Sequence, residues 1–319
     1  MKISVLLGNP VDDDPVSIDT NLSFMPLERL NIHILTMKNY NKIIDSIDKD
    51  DIIVNLCDGC DEKDNLPGLC VVKKLEEQKR VFTGCSSRNY VWKKGDIKKY
   101  NIGTPMFIIV NRLNSDIPDI GLKYPLIIKP NGNEGGSTCI FKDSVVHNLI
   151  ELKSILDKRF DTFKQYDEYV IEEYIDGREV TVLAFQNIDN NDDPIVLEPI
   201  ECVFTGQDKF KHYEFKWLDN DVSTMFYQQV DDPLLQKKIM EFSRDAFKEL
   251  KLDGYVRFDI RMDKDQNLYL IDVNPYCGIF YSPQNYGCAD TILKYSKLMN
   301  HYDFLMHNIE YAKYRYDKC

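Results

Sequence analysis

Long apolar runs are missing from this sequence, and none approaches the ~18 residues that a membrane-spanning helix requires. A basic excess is missing as well: 40 of 319 residues are Lys or Arg and 52 are Asp or Glu, a formal net charge of −12. Nucleic acid and anionic membranes select basic surfaces, so neither is expected as a partner. Local basic clusters around a phosphate ligand remain compatible with that balance. The nine cysteines are scattered rather than framed. Their odd number, with no secretory leader in view, points to free thiols in a reducing compartment, and the cytoplasm is the expected location. Cys57-Asp58-Gly59-Cys60 has CxxC spacing, but no second CxxC or His pair follows at zinc-site distance, which favours structural thiols. The chain also lacks a GxxxxGK[ST] loop and a GxGxxG turn opening a helix, so the two common phosphate-loop signatures are excluded. Repeats and low-complexity tracts are absent.

What is present is an ordinary globular composition, 43% hydrophobic and 29% charged, over a length that suits two or three packed units. Short apolar runs at 3–8, 32–35, 51–56 and 81–84 alternate with helical patterns, the clearest at 71–78. Strand–helix alternation predicts an α/β unit with a parallel sheet covered on both faces, and ligands at the carboxyl ends of its strands. The character changes near Trp92. Tyr124 to Ile140 reads as a strand carrying Lys129, a Gly-rich turn and another strand; an amphipathic helix is expected over 145–156 and another over 234–250.

The segment RFDIRMDKDQNLYLIDVNP, residues 257–275, reads as a hairpin turning about residues 265 and 266. That fold sets Asp259 opposite Asp272, with Arg257 and Asn274 on the same faces. Like charges directly opposite destabilise a sheet, so a compensating cation is expected. Two carboxylates and an amide are hard oxygen donors suited to Mg2+, although a solvated acidic hairpin fits the pattern equally. In IIKPNGNEGGS, glycines allow close backbone approach to a phosphate beside Lys129; a flexible hairpin with a solvated lysine is the alternative. In IEEYIDGREVTV, Glu172 begins a segment that could follow an adenine edge through backbone groups of Glu173 and Ile175, with Glu179 on a ribose. Taken alone, that segment is equally two strands and a turn.

In this order and spacing, KPNGNEGGS at 129–137, EEYIDGREVTV at 172–182, EFKWL at 214–218 and RFDIRMDKDQNLYLIDVNPYCG at 257–278 resemble the ATP-grasp ligases, and within them the D-alanine–D-alanine ligase group. The resemblance implies a Rossmann-like first domain over 1–92, a lid subdomain over 93–183 and a C-terminal subdomain over 184–319 with the metal site, ATP lying between the last two. It implies that Lys129, Lys216 and Lys93 (or Lys94) hold phosphates, with the 134–137 turn, Glu134-Gly135-Gly136-Ser137, beside them. Glu172, Glu173, Ile175 and Glu179 would meet adenine and ribose. Asp259, Asp272 and Asn274 would hold two Mg2+ ions, for which Mn2+ can substitute. Arg257 and the Gly278 N–H would stabilise an oxyanion.

The substrate half departs from that family. Gly8-Asn9-Pro10-Val11-Asp12-Asp13-Asp14 stands in place of a GGxSxE loop, Asp58 stands where a histidine is usual, and Trp217 replaces a tyrosine. The expected function is therefore an ATP-dependent carboxylate–amine ligase working through an acyl phosphate and releasing ADP and phosphate, with small amino acids or peptides as substrates. Its alternatives are a D-alanine–D-alanine or D-alanine–D-lactate ligase with a divergent substrate loop, and a non-catalytic nucleotide-binding module. Asp12, Asp13, Asp14 and Asp58 are either acceptors for a cationic substrate group or acidic surface loops. The family often dimerises through its first domain, so a homodimer is an expectation of the resemblance.

Overall fold

The computed structural model describes residues 2–9, 22–24, 30–90, 92–113, 121–132, 139–206, 209–213 and 225–318. In the first sheet, β1 (Ile3–Gly8), β2 (Leu30–Leu35) and β3 (Ile52–Asn55) run parallel in the order β2-β1-β3. Both faces are covered, as the alternation implies. Ile3, Val5 and Leu7 point into one core, whereas Leu6 points into another beneath α1 (Tyr40–Ser46) and α2 (Leu69–Glu77). The run at 81–84 does not make a full strand. Only Phe82 bridges to Ile53, and Gly84 then takes φ 94 and turns the chain away. Gly84 meets Gly254 (φ 67) at a contact without side chains; a Cβ on Gly254 would fall 2.5 Å from the Gly84 backbone. Glycine serves both needs there, the left-handed backbone and the close approach.

The helices α3 (Ser87–Tyr90) and α4 (Lys94–Ile97) lead to a second sheet of β4 (Phe107–Asn111), β5 (Leu126–Pro130), β6 (Val145–Val146) and β7 (Glu168–Glu173), ordered β4-β7-β5-β6. Of the segment expected as a strand after the Gly-rich turn, only Cys139 and Ile140 lie among the described residues, and these two are not in a strand. The helix expected from Val145 begins later. Val145 and Val146 pair with β5, and α5 (Leu149–Thr162) starts after Asn148, whose side chain accepts the Glu151 N–H. A capping asparagine and a β-branched pair together set that boundary.

The third sheet holds β8 (Arg178–Phe185), β9 (Ile195–Val196), β10 (Ile200–Phe204), β11 (Met225–Gln229), β12 (Tyr255–Met262) and β13 (Leu268–Pro275), in the order β11-β10-β8-β12-β13 with β9 on β8. Central β8 is buried from Glu179 to Phe185. The change of sheet therefore falls between Glu173 and Arg178, earlier than the 183/184 division read from the sequence. One face is covered by α6 (Pro233–Glu249), capped by Asp232. The other packs α7 (Cys288–Tyr295) and α8 (His301–Asp317) against the first sheet, so that Val5, Val54, Phe185, Ile292 and Phe304 share one core. Among the described residues no helix is long and apolar enough to cross a membrane.

Candidate functional site

A cleft of about 1240 Å³ opens between the second and third sheets, bounded also by residues 58–63 at the end of the first sheet. One wall is built on β5 and β7. Lys129 pairs in register with Val170, and Glu172 lies two residues further along β7, a diagonal that a long side chain can span. The Lys129 ammonium meets one Glu172 oxygen, and Lys98 Nζ sits 2.9 Å from the other. Lys98 also donates to the Pro105 carbonyl at 3.0 Å and lies 4.4 Å above the Phe107 ring. Burial opposes ionisation of Glu172, but the two ammoniums outweigh it and hold the carboxyl at about 2. Glu173 and Ile175 also line the cleft; the Glu173 N–H, however, is taken by the Met106 carbonyl at 2.9 Å.

The opposite wall is a ladder across β8, β12 and β13. Its rows are Leu183–Arg257–Asn274, Thr181–Asp259–Asp272 and Glu179–Arg261–Tyr269. The Asp259–Asp272 pairing is the one predicted by folding the hairpin about 265 and 266. On the turn side of that pair the register shifts, with Ile260 opposite Leu270, so Ile271 is an extra residue on β13. This bulge changes the parity of the strand. Without it, 271 and 273 would face the cleft and the two polar residues would enter the core. With it, Ile271, Asp272 and Asn274 all line the cleft along with Arg257, Asp259 and Arg261.

The cation needed to offset the facing carboxylates is supplied by the chain itself. Arg257 Nε and Nη2 donate to the two Asp259 oxygens at 3.2 and 2.9 Å, with Thr181 Oγ1 (3.0 Å) and Asn274 Nδ2 (3.1 Å) completing that cage. Lys94 Nζ lies 2.5 Å from Asp272 Oδ1 and is 2% exposed. Of the two lysines between which the register was left open, Lys94 lines the cleft. Lys93 is the N-cap of α4 and turns outward to Glu168 at 3.4 Å, 56% exposed. Adjacent residues at a helix start point in different directions, and of this pair Lys94 looks inward.

Glu179 is also buried, between Lys211 Nζ at 2.9 Å and Arg261 Nη1 at 3.2 Å. Arg261 further donates to the Tyr174 hydroxyl and the Gly177 carbonyl. Sequence reasoning missed Lys98, Lys211 and Arg261. Arg261 was within reach, since it follows Arg257 and Asp259 at period two; the lysines carry no local signal. Glu134, Gly135, Gly136, Ser137, Lys216 and Trp217 lie outside the described residues, as do Asp12, Asp13 and Asp14.

Gly278 lines the cleft on the turn that follows β13, and a Cβ there would fall 2.4 Å from the Tyr281 hydroxyl. Tyr276 (φ 53) and Phe280 (φ 69) flank it in the left-handed region, which L side chains rarely adopt. Two anchors hold them. The Tyr276 hydroxyl donates to the Thr83 and Cys85 carbonyls, and the fully buried Asp290 accepts the Phe280 N–H at 2.7 Å and the Tyr281 N–H at 3.4 Å. His301 Nε2 lies 3.0 Å from the same carboxylate. Asp58 enters from the β3 loop; it opens onto the cleft, yet the surrounding walls desolvate it and push its carboxyl up to about 6.

Asp259, Asp272 and Asn274 offer two carboxylates and an amide from adjacent strands, a hard oxygen set of the kind Mg2+ accepts once phosphate and water complete its shell. Among the described residues no cluster of three or more His, Cys, Asp or Glu side chains is arranged to hold a metal. A divalent ion would therefore need oxygen from a second ligand.

The family model "D-ala D-ala ligase C-terminus" matches residues 113–302. A D-alanine–D-alanine ligase of Carboxydothermus hydrogenoformans is 25% identical over 293 residues, 88% of this chain and 89% of that protein. One from Lactococcus lactis subsp. cremoris is 32% identical over 157 residues, 49% of this chain and 41% of its own length. The chain spans about half the length of the first curated relatives it matches, for instance 48% of the Petrotoga mobilis ligase. In fold, the chain is similar to the Bacillus anthracis D-alanine–D-alanine ligase complexed with ATP, with a TM-score of 0.70 at 20% identity over 100% of this chain and 99% of that one. VanG D-Ala:D-Ser ligase from Enterococcus faecalis gives 0.70 at 18% identity, covering 98% and 99%. These are ATP-grasp structures, and the α/β architecture expected from the sequence is theirs.

Proposed function

Since the chain belongs to the D-ala D-ala ligase C-terminus family, we propose that it is an ATP-dependent ligase joining a small carboxylic acid to an amine, with ADP and phosphate released. One observation carries this reading: Lys94, Lys129, Arg257, Asp259, Asp272 and Asn274, drawn from three separate stretches of sequence, line a single cleft. A carboxylate is a poor electrophile. Transfer of the terminal phosphoryl group of ATP makes an acyl phosphate and ADP; the amine then attacks the acyl carbon and expels phosphate, so the protein supplies positioning and charge neutralisation rather than a nucleophile.

In this reading Lys94 and Lys129 meet the phosphates, and Glu172, Ile175 and Glu179 bound the nucleoside end. Asp259, Asp272 and Asn274 hold Mg2+, which when bound neutralises phosphate charge. Arg257 and the Gly278 N–H stabilise the oxyanion formed when the amine adds, and Asp58 receives an ammonium group of a substrate. The family resemblance assigns Lys216 and residues 134–137, which lie outside the described residues, to the phosphates as well. The sheet changes support a division into a first domain, a lid and a C-terminal subdomain. Cytoplasmic residence fits the described cysteines, among which no disulfide forms. A homodimer through the first domain belongs to the same reading.

Similarity to D-alanine–D-alanine ligases favours a second substrate reading, D-alanine–D-alanine ligation. Incubation with Mg-ATP and pools of L- and D-amino acids and dipeptides, scored for ADP and coupled products, separates the two. Mixed or L-containing products support the first reading, and D-Ala-D-Ala as the main product the second. ATP binding without turnover on every pool would overturn ligase activity altogether.

A further inference from the structure

Lys98 does not line the cleft, yet it completes a chain of charges that ends there. Its stem is buried beneath β4, its head lies over Phe107, and its ammonium contacts one Glu172 oxygen and the Pro105 carbonyl. Glu172 in turn meets Lys129, which does line the cleft. Three neighbours in space thus come from residues 98, 129 and 172. Their exposures decide the energetics: the Lys98 side chain is 4% exposed, that of Lys129 7% and that of Glu172 2%. Water screens little of the attraction between them.

We propose that Lys98 is a positioning residue that frees the charge of Lys129 for the ligand. The inference rests on the reading of Lys129 as a phosphate contact. A Lys129–Glu172 pair alone is neutral, and a buried carboxylate with a single partner would keep the ammonium to itself. A second ammonium on the other oxygen satisfies Glu172, leaves the group as a whole positive, and lets Lys129 turn its remaining N–H donors toward the cleft. Carboxylates accept at both oxygens and lysine donates three N–H groups, so the arrangement exhausts neither. Lys98 itself is fixed by the Pro105 carbonyl and the Phe107 ring, which keeps it from following Lys129 into the cleft.

The test is a double-mutant cycle on a non-hydrolysable ATP analogue, read by calorimetric titration on the full chain with thermal midpoints recorded in parallel. Lys98→Met should weaken the analogue roughly tenfold or more, as the loss of one partner from a buried charge group does. Lys98→Arg, which keeps the charge, should stay within roughly threefold of wild type. In a Glu172→Gln background there is no carboxylate charge to satisfy, so adding Lys98→Met should cost less than about threefold, a coupling that a merely structural role would not produce. Equal losses in both backgrounds, or a folded Lys98→Met protein that binds the analogue like wild type, would overturn the proposal. Should Lys98→Met fail to fold alone, the Lys98→Met/Glu172→Gln pair removes both buried charges and the comparison moves to it and Lys98→Arg. A Lys129→Met arm separates the two levels: unchanged binding there refutes the phosphate reading of Lys129, whereas loss there with none at Lys98 refutes only the role of Lys98.

Discussion

Replacing Asp290 by alanine removes the carboxylate on which the turn around Gly278 is hung. The side chain is fully buried and accepts the Phe280 N–H at 2.7 Å and the Tyr281 N–H at 3.4 Å, with His301 Nε2 3.0 Å away. Hydrogen bonds to a charged acceptor contribute about 1.5–3 kcal/mol each. The 2.7 Å bond counts fully and the 3.4 Å one weakly. Phe280 holds a left-handed backbone at φ 69, an arrangement that costs about 1–3 kcal/mol and persists only where neighbours enforce it. Asp290→Ala should therefore lower unfolding stability by about 3–5 kcal/mol, and Asp290→Asn, which keeps an acceptor for Phe280, by about 1–2 kcal/mol. Relaxation of the turn would displace the Gly278 N–H; misplacement by about 1 Å at a reacting centre costs on the order of a hundredfold in turnover. The assay is urea unfolding of wild type, Asp290→Asn and Asp290→Ala at one pH, with turnover measured on the same preparations. An alanine variant within about 1 kcal/mol of wild type that also turns over normally would refute the reasoning.

Asp58 carries a pH prediction. Its carboxyl is raised from 3.8 to about 6, so the folded state holds a proton that the unfolded state has released between those values. The ionised form thus costs stability above about pH 6, and the cost is absent below about 3.8. Asp58→Asn should stabilise the protein at pH 8 by at most about 1 kcal/mol, cleft water screening the remainder, and leave it unchanged at pH 3.5, by thermal melts. If ionised Asp58 receives an ammonium, wild-type KM for the amine should also rise as pH falls through 6, and that rise should vanish in the variant. Lys94→Met should reduce turnover at least a hundredfold while Lys93→Met changes it less than about threefold; reversed values would restore the Lys93 assignment. Asp272→Asn should abolish turnover with the fold intact by circular dichroism, and near-normal activity would argue against the metal role. Gly278→Ala would drive a methyl into Tyr281, and kcat should fall while urea stability changes by about 1–2 kcal/mol.

Alternation alone predicted the first parallel sheet and the extent of α6. These features depend on contacts between residues near in sequence, where period two or period 3.6 leaves a direct imprint. Composition set the charge balance, a sum over residues indifferent to their arrangement, and the absence of a long apolar run, again a local pattern, gave no membrane helix. Other features needed the third dimension. The bulge at Ile271 turns Asp272 and Asn274 into the cleft, and nothing in the residue types announces an inserted position. Val145–Val146 joined a strand because β5 offered an open edge. Lys98 meets Glu172, 74 residues away, and Asp290 supports a turn ten residues before it, on a helix start that by itself reads as an ordinary acidic first turn. A lysine or aspartate carries the same local pattern whether it is solvated or buried against a partner. Which of the two it becomes depends on the charge that the rest of the chain brings beside it, because burying an unpaired charge is costly enough to select the partner.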